Sequence, residues 1–515
     1  MYPGTFAAIQ PGKLAVIRVS TGESLTYAEL DAQSNRLAHL LHGEGLRRGD
    51  HVAYYLENSL ANFVILWACQ RSGLYFTPVN FHLPAGEAAY IVDNCDAQVL
   101  IASASLEQSA ELGRLSPRCT LKLAVGGEIE GFTPLEQAIA GKPATAIKTE
   151  SMGSMMIYSS GTTGRPKGVK RALSDVALAL GSPHFEGLIA MYGLDRDTVY
   201  LSPAPLYHAA PLGWTSAAVQ AGGTVVFMDR FEPEAALQVI ERYKVTHSQW
   251  VPTMFIRMLK LDADVRARYD LSSHRYAIHA AAPCPAEAKR RMIDWWGPII
   301  EEYYSSTEGA GMTMISSRDW LAHPGSVGRS VGAPLHVCDD EGRELPPGKP
   351  GLIYGESPTG RGFFYHKDED KTLGSSHPEH AEWRSIGDIG YLDGEGFLYL
   401  TDRKAFMIIS GGVNIYPQQI EDALAMFPKL ADVAVIGVPN EELGEEVKAV
   451  VQPAPGVAPS DELAREILSF VTEKLGRQLT PRSVDFVEEL PRLPTGKLAK
   501  GVLRDRYWGK QAAGA

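Results

Sequence analysis

Two periods of apolar residues alternate along the first hundred positions. Leu30, Leu37, Leu40 and Leu41 share one face of a 3.6-residue repeat, and Thr26 with Glu29 forms a capping-box pattern ahead of them, which predicts a helix. Gly43 and Gly45 end it, and the unbroken run Val52-Ala-Tyr-Tyr-Leu56 predicts a strand. A helix over 63–69 and a strand over 74–79 follow. Repeated alternation of this kind predicts an α/β fold with helices on the faces of its sheets. It continues to about residue 400, with Gly/Pro-rich punctuation at 325–334 and 346–351. Beyond Asp402 the pattern changes: 433–436 and 447–451 read as strands, and Ser460 caps a helix on which Leu463, Ile467, Val471 and Leu475 repeat every four residues. The expected organisation is a large N-terminal domain, 1–402, and a small C-terminal α+β domain, 403–515, with the boundary at Asp402–Arg403.

Composition narrows the function class. At 45% hydrophobic and 21% charged, the 515-residue chain is neither disordered nor fibrous. A net charge of −12 disfavours non-specific nucleic-acid binding. Five scattered cysteines without CxxC spacing read as reduced, packed thiols, and neither a signal segment nor a bilayer-length apolar run is visible, so a cytoplasmic location is expected.

The most informative segment is Tyr158-Ser-Ser-Gly-Thr-Thr-Gly-Arg-Pro-Lys-Gly168 after a strand-like 155–157. Glycines let backbone approach an anion, hydroxyls and amides donate to phosphate oxygens, and Lys167 adds a charge. The register does not fit a Walker loop, and alone such a stretch also reads as a flexible turn. Other blocks accompany it: Tyr304-Ser-Ser-Thr-Glu308, Ser385-Ile-Gly-Asp388, Asp402-Arg-Lys404, Ile409-Ser-Gly-Gly-Val-Asn-Ile-Tyr-Pro417, Pro439-Asn-Glu-Glu-Leu-Gly-Glu445 and Leu493-Pro-Thr-Gly-Lys497. Together, in this order over nearly the whole chain, they resemble the adenylate-forming superfamily of acyl-CoA synthetases, nonribosomal peptide adenylation domains and beetle luciferases. Ser305 stands where that family has Gly, and Phe406, Gln419 and Leu352 also depart from its usual pattern at positions outside its catalytic core.

The resemblance implies an N-terminal domain of stacked sheets, a mobile small domain, and ATP, Mg²⁺ and coenzyme A as cofactors. It implies an acyl-adenylate made from a carboxylic acid and ATP. Ser159, Ser160, Gly161, Thr162, Thr163, Gly164 and Lys167 would surround the β- and γ-phosphates, with Thr163 counted among the catalytic residues. Glu308 would ligate Mg²⁺ and Thr307 would touch the α-phosphate, beside Ser305 and Ser306. Lys497 would bridge the attacking carboxylate and the α-phosphate. Tyr304 would stack on adenine next to Ala281, Ala282 and Pro283, and Asp388 with Arg403 would hold the ribose. His208, Trp250, Met254 and Gly309 would belong to the acyl pocket, although a histidine or aromatic among apolar residues also reads as plain core. The small domain would swing about Asp402, bringing Ser410, Gly411 and Gly412 to a pantetheine tunnel.

Several features read as bland. His377-Pro-Glu-His380 lacks helical zinc-motif spacing and predicts an exposed loop. The Glu-Glu pairs at 301–302, 441–442 and 445–446 predict solvated faces, and 339–343 predicts a hairpin tip. The apolar and aromatic pocket candidates, Trp214 included, favour a fatty, aryl or steroid side-chain acid. A carrier-protein phosphopantetheine is the alternative acceptor; a luciferase-like oxygenase and an inactive nucleotide-binding module are the less favoured readings. Partners are expected to be small molecules, not nucleic acid. A homodimer is compatible with the resemblance, and a lipidic acid would add peripheral membrane contact.

Overall fold

The computed structural model describes residues 2–159, 166–356, 363–492 and 498–509. The fold is mixed α/β, and the chain divides into two compact units, one of Met1–Gln249, Ala263–Ala277 and Phe363–Thr372, the other of Trp250–Asp262, Ile278–Gly362 and Leu373–Ala515. Helix Tyr27–Gly43 begins at the expected box: the Thr26 side chain accepts from the Glu29 N–H, and the Glu29 carboxylate accepts from the Thr26 N–H at 2.8 Å.

In the first unit, strand His51–Tyr55 lies parallel between Tyr75–Pro78 and Ala97–Ser103, and every one of its residues is buried. Burial on both faces explains why the sequence shows an unbroken apolar run there rather than alternation. A second parallel group joins Leu14–Arg18, Thr224–Phe227, Val199–Ser202 and the neighbouring strand at 247–248. A small antiparallel sheet carries Ile157–Ser159, Lys167–Lys170 and Phe364–Tyr365.

In the second unit, antiparallel neighbours run in the order Ile300–Ser305, Met312–Ile315, Gly328–Ser330, Phe397–Arg403, Asp388–Leu392, Gly351–Glu356 and Leu335–Cys338. Gly328 takes φ +99°, and a Cβ there would lie 1.9 Å from the Met314 carbonyl oxygen, so only glycine fits this crossing. Towards the C-terminus, strands Leu430–Asn440 and Gly444–Pro453 form a long hairpin, longer at both ends than the apolar runs that predict it. Helix Asp461–Leu475 packs Leu463, Ile467 and Val471 beside it, and Ser460 caps that helix through the Leu463 N–H.

Two surface expectations need correction at one residue each. Glu302 does not face solvent: it is 4% exposed and pairs at 2.5 Å with Lys289, which is completely buried on helix Ala286–Trp296. The loop expected at 377–380 is present and exposed at Pro378 and Glu379, but the His377 side chain at its start is not. It is buried, its Nδ1 accepts from the backbone N–H groups of Glu379 and His380, and its ring meets the edge of Trp383. The Lys289 partner of Glu302 lies thirteen residues away on another element, and His377 Nε2 meets the Gly342 carbonyl oxygen 35 residues away, contacts of which local composition carries no trace. At 339–343 the expected hairpin tip is present, with the Asp339 carboxylate accepting from the N–H groups of Glu341 and Arg343.

Candidate nucleotide-binding site

Strand register builds the centre of the site. Asp388 opens its strand directly opposite Arg403, the last residue of the neighbouring strand, so their side chains meet by pairing alone. Arg403 Nε donates to Asp388 Oδ1 at 3.0 Å and the Tyr304 hydroxyl donates to Asp388 Oδ2 at 2.8 Å. Each carboxylate oxygen is thus fixed by a different donor on a different strand. The body of Tyr304 packs against Val327, Leu335, Ile353 and Leu398. Burial, and secondarily the Asp388 charge, push its phenol well above its usual range, so it remains a neutral donor. Ser385 accepts from the Gly387 N–H at 3.2 Å, which shapes the turn leading into Asp388.

Beyond Tyr304, the Ser305 hydroxyl donates to the Gly311 carbonyl, and Ser306 closes a turn by accepting from the Gly309 N–H through both its carbonyl and hydroxyl oxygens. Thr307 and Glu308 ride on that turn, and Gly309 takes φ +71°. At 281, Ala281 adopts φ +76°, a left-handed conformation that a β-carbon disfavours. Pro283 follows and Cys284 is half-buried, its thiol pushed well above its normal range mainly by burial.

Lys167 lies opposite Ser159 in the small antiparallel sheet, and its ammonium pairs with Asp368 Oδ2 at 3.0 Å. Asp368 Oδ1 accepts from the Lys371 N–H at the start of helix Glu369–Gly374, so one carboxylate both caps a helix and holds the lysine. The neighbouring Lys167 holds the Asp368 carboxyl below its ordinary value. Ser160, Gly161, Thr162, Thr163, Gly164 and Lys497 lie outside the described residues.

His208 immediately precedes helix Ala209–Gln220, with its ring 4.2 Å from that of Tyr207. Trp214 is enclosed by Tyr192 and Tyr200, and Trp250 by Phe255 and Trp296, at ring separations of 5.0–6.2 Å. Met254 is buried on helix Pro252–Leu259. Asp402 Oδ1 accepts from the Arg403 N–H and Oδ2 from the Gln418 N–H, tying two segments together. Ser410 ends a strand whose turn, Gly411 at φ +58° and Gly412 at φ +80°, has the double left-handed geometry of a tight hairpin. Among the described residues no group of three His, Cys, Asp or Glu side chains could hold a metal, and no helix is long and apolar enough to cross a membrane.

Asp368, Lys289 and Glu302 were not among the expected site residues. Only Lys289 left a signal: a lysine on the same buried stripe as Ala288, Met292 and Ile293 of an amphipathic helix.

An AMP-binding enzyme family model matches residues 5–362, and its C-terminal-domain model matches 419–497. The chain belongs to the AMP-binding, adenylate-forming enzyme family. It is 33% identical over 490 residues to a feruloyl-CoA synthase of Amycolatopsis sp, covering 94% of each chain. It is 31% identical over 499 residues to a fatty acid–[acyl-carrier-protein] ligase, ScoC, of Streptomyces coeruleorubidus, covering 95% of this chain and 93% of that one. An ATP-bound crystal structure of MatB from Rhodopseudomonas palustris superposes with a TM-score of 0.81 at 28% identity, covering 98% of this chain and 99% of that one. This family member is therefore an enzyme of the acyl-CoA ligase group, with a large N-terminal and a small C-terminal domain, and ATP and CoA are its implied substrates.

Proposed function

We propose that this enzyme converts an apolar carboxylic acid, ATP and CoA into an acyl-CoA, AMP and pyrophosphate through an acyl-adenylate. A carboxylate resists nucleophiles because it is charged and lacks a leaving group. Its attack on the α-phosphorus of ATP forms a C–O–P mixed anhydride and expels pyrophosphate. Attack by the CoA thiolate on the carbonyl carbon then forms the thioester and expels AMP.

The observation that carries this reading is the doubly anchored Asp388. With both oxygens already held by Tyr304 and Arg403, its remaining lone pairs are oriented acceptors suited to a pair of ribose hydroxyls. The Tyr304 ring and the turn at 281–283 would take the adenine. Lys167 would exchange Asp368 for phosphate oxygens, together with Ser159 and the hydroxyls of 160–163. Glu308, a single partly exposed carboxylate on a turn, fits an ion that takes one or two carboxylates and completes its shell with phosphate and water, as Mg²⁺ does. Bound there, Mg²⁺ would neutralise charge developing on the phosphates. Lys497 would stabilise the same charge from the small domain. That domain, 403–515, would then swing about Asp402 so that the 410–412 turn faces the thiol. His208, Trp250, Met254 and Gly309 would shape the acyl side, with His208 contacting the carboxylate or gating its entry.

The acid is assigned to the fatty, aryl or steroid side-chain classes. The aromatic and apolar candidates support this, as do relatives named for feruloyl and fatty acyl groups. A second reading, delivery to a carrier-protein phosphopantetheine, is supported by the carrier-protein ligase relative. One experiment separates the two: purified protein with ATP, Mg²⁺ and a panel of fatty, cinnamic-type and sterol-derived acids, analysed for AMP and thioester with CoA or with a holo carrier protein. AMP and acyl-CoA are expected. Thioester only on the carrier would select the second reading, and no AMP with any acid would overturn both.

A further inference from the structure

We propose that the buried Lys289–Glu302 pair, with His279 beside it, positions the adenine-binding turn at 280–285 and so sets both the affinity and the base selectivity of ATP binding. The inference rests on the reading that this turn and Tyr304 take the adenine.

Lys289 is completely buried and its ammonium lies 2.5 Å from Glu302 Oε2. Enclosing two charges sacrifices their hydration, and well-packed apolar residues often match or exceed such a pair in stability, so stability alone does not account for it. Its location does. Glu302 stands two residues before Tyr304 on the same strand. His279 is the last residue of strand Tyr276–His279, and Lys289 lies in the first turns of helix Ala286–Trp296. The segment between them is the turn in question. The same Glu302 oxygen that meets Lys289 lies 3.5 Å from His279 Nε2, without a hydrogen bond between them, so one carboxylate oxygen sits beside both ends of the turn and bonds to the Lys289 end.

The remaining walls of this pocket keep the three groups in place. Phe255 meets the His279 ring edge-on at 5.4 Å, and the Lys289 ammonium lies 5.1 Å from the centre of the Trp320 ring. Inside the turn, Ala281 holds φ +76°. A non-glycine residue keeps such a backbone only where its surroundings over-determine it. The carboxylate bolt supplies that constraint, and through it Glu302 and Lys289 act on the nucleotide without touching it.

The test is the double variant Lys289→Met/Glu302→Leu, which removes both charges together and leaves neither stranded. Thermal unfolding reports its fold, and calorimetry with ATP alone and GTP alone reports binding. The expected result is a cooperative melt with ATP bound about tenfold more weakly and the ATP-over-GTP preference reduced about tenfold, changes that a purely structural pair would not produce. Ala281→Gly added to that variant, which relieves the strained φ, is expected to recover part of the ATP affinity. Should the double variant not fold, Glu302→Gln, which keeps an oxygen for the Lys289 ammonium, is read by the same two ratios. A folded variant with wild-type ATP affinity and selectivity overturns the inference. Tyr304→Ala separates this from the underlying reading: if it too leaves ATP affinity unchanged, the adenine assignment itself has failed.

Discussion

Lys167 and Lys289 each face a carboxylate, at 3.0 and 2.5 Å, in settings that could hardly differ more. The Lys167–Asp368 pair is partly solvated, with side chains 23% and 33% exposed, whereas Lys289–Glu302 is sealed in the core at 0% and 5%. Water and salt screen the first, so exchanging Asp368 for an incoming phosphate costs little. No such exchange is open to the second, because separating it would strand a charge in an apolar pocket. On the proposed reading, the contrast distinguishes two uses of one interaction: a cation that a ligand could recruit, and a cation that would hold the frame around one.

The comparison breaks most visibly if Glu302→Ala is tolerated. Leaving the Lys289 ammonium buried without its partner is expected to destabilise the protein by about 3–5 kcal/mol in denaturant unfolding. Next in size, Lys497→Ala should lower acid-dependent pyrophosphate release by about 10²–10³ while the thermal transition stays in place. Equal rates in the two proteins would remove that ammonium from the chemistry. Asp402→Pro fixes φ where Asp402 now ties the Arg403 and Gln418 amides, so adenylate formation should survive and thioester formation should fail; normal thioester output would place the hinge elsewhere.

A smaller effect concerns Glu301, the neighbour of the sealed carboxylate. Burial raises it from its ordinary 4.5 to about 7. An acid raised in the folded state contributes stability below its unfolded pKa and loses that contribution as pH rises through the folded one. Glu301→Gln should therefore flatten the stability profile between these two values and stabilise the protein above pH 8 by about 1–2 kcal/mol, allowing for residual solvent screening. A parallel pH profile in the two proteins would contradict it. Smallest of all, Asp368→Asn, whose amide oxygen can still cap helix Glu369–Gly374, should change stability by less than about 1 kcal/mol and leave ATP affinity undiminished in calorimetry. A tenfold loss of affinity would show that the exposed pair is as much a part of the frame as the buried one.

What the sequence made legible was what is local or carried as a contiguous motif. The Thr26–Glu29 box and the Ser460 cap are decided within four residues, and both appear as expected. Tyr304, Asp388 and Arg403 could be named from their motifs, but their meeting depends on the register that sets Asp388 opposite Arg403, which no motif encodes. The strands at 430–440 and 444–453 outrun their apolar runs because backbone pairing continues to the turn, where Asn440 accepts from the Glu442 and Leu443 amides. Glu302 was misread because adjacent glutamates look solvated, and its partner lies thirteen residues upstream on another element. His377 was misread because its Nε2 meets the Gly342 carbonyl oxygen, 35 residues upstream in the 339–343 turn.

The central claim is that this chain joins a carboxylate to the α-phosphorus of ATP before any thiol is involved. It is tested most directly by acid-dependent exchange of labelled pyrophosphate into ATP in the absence of CoA. Label should enter ATP with at least one apolar acid, and omission of the acid should stop it. An enzyme that consumes ATP only when CoA is present and releases ADP with inorganic phosphate, or that never returns pyrophosphate to ATP with any acid, would contradict the account.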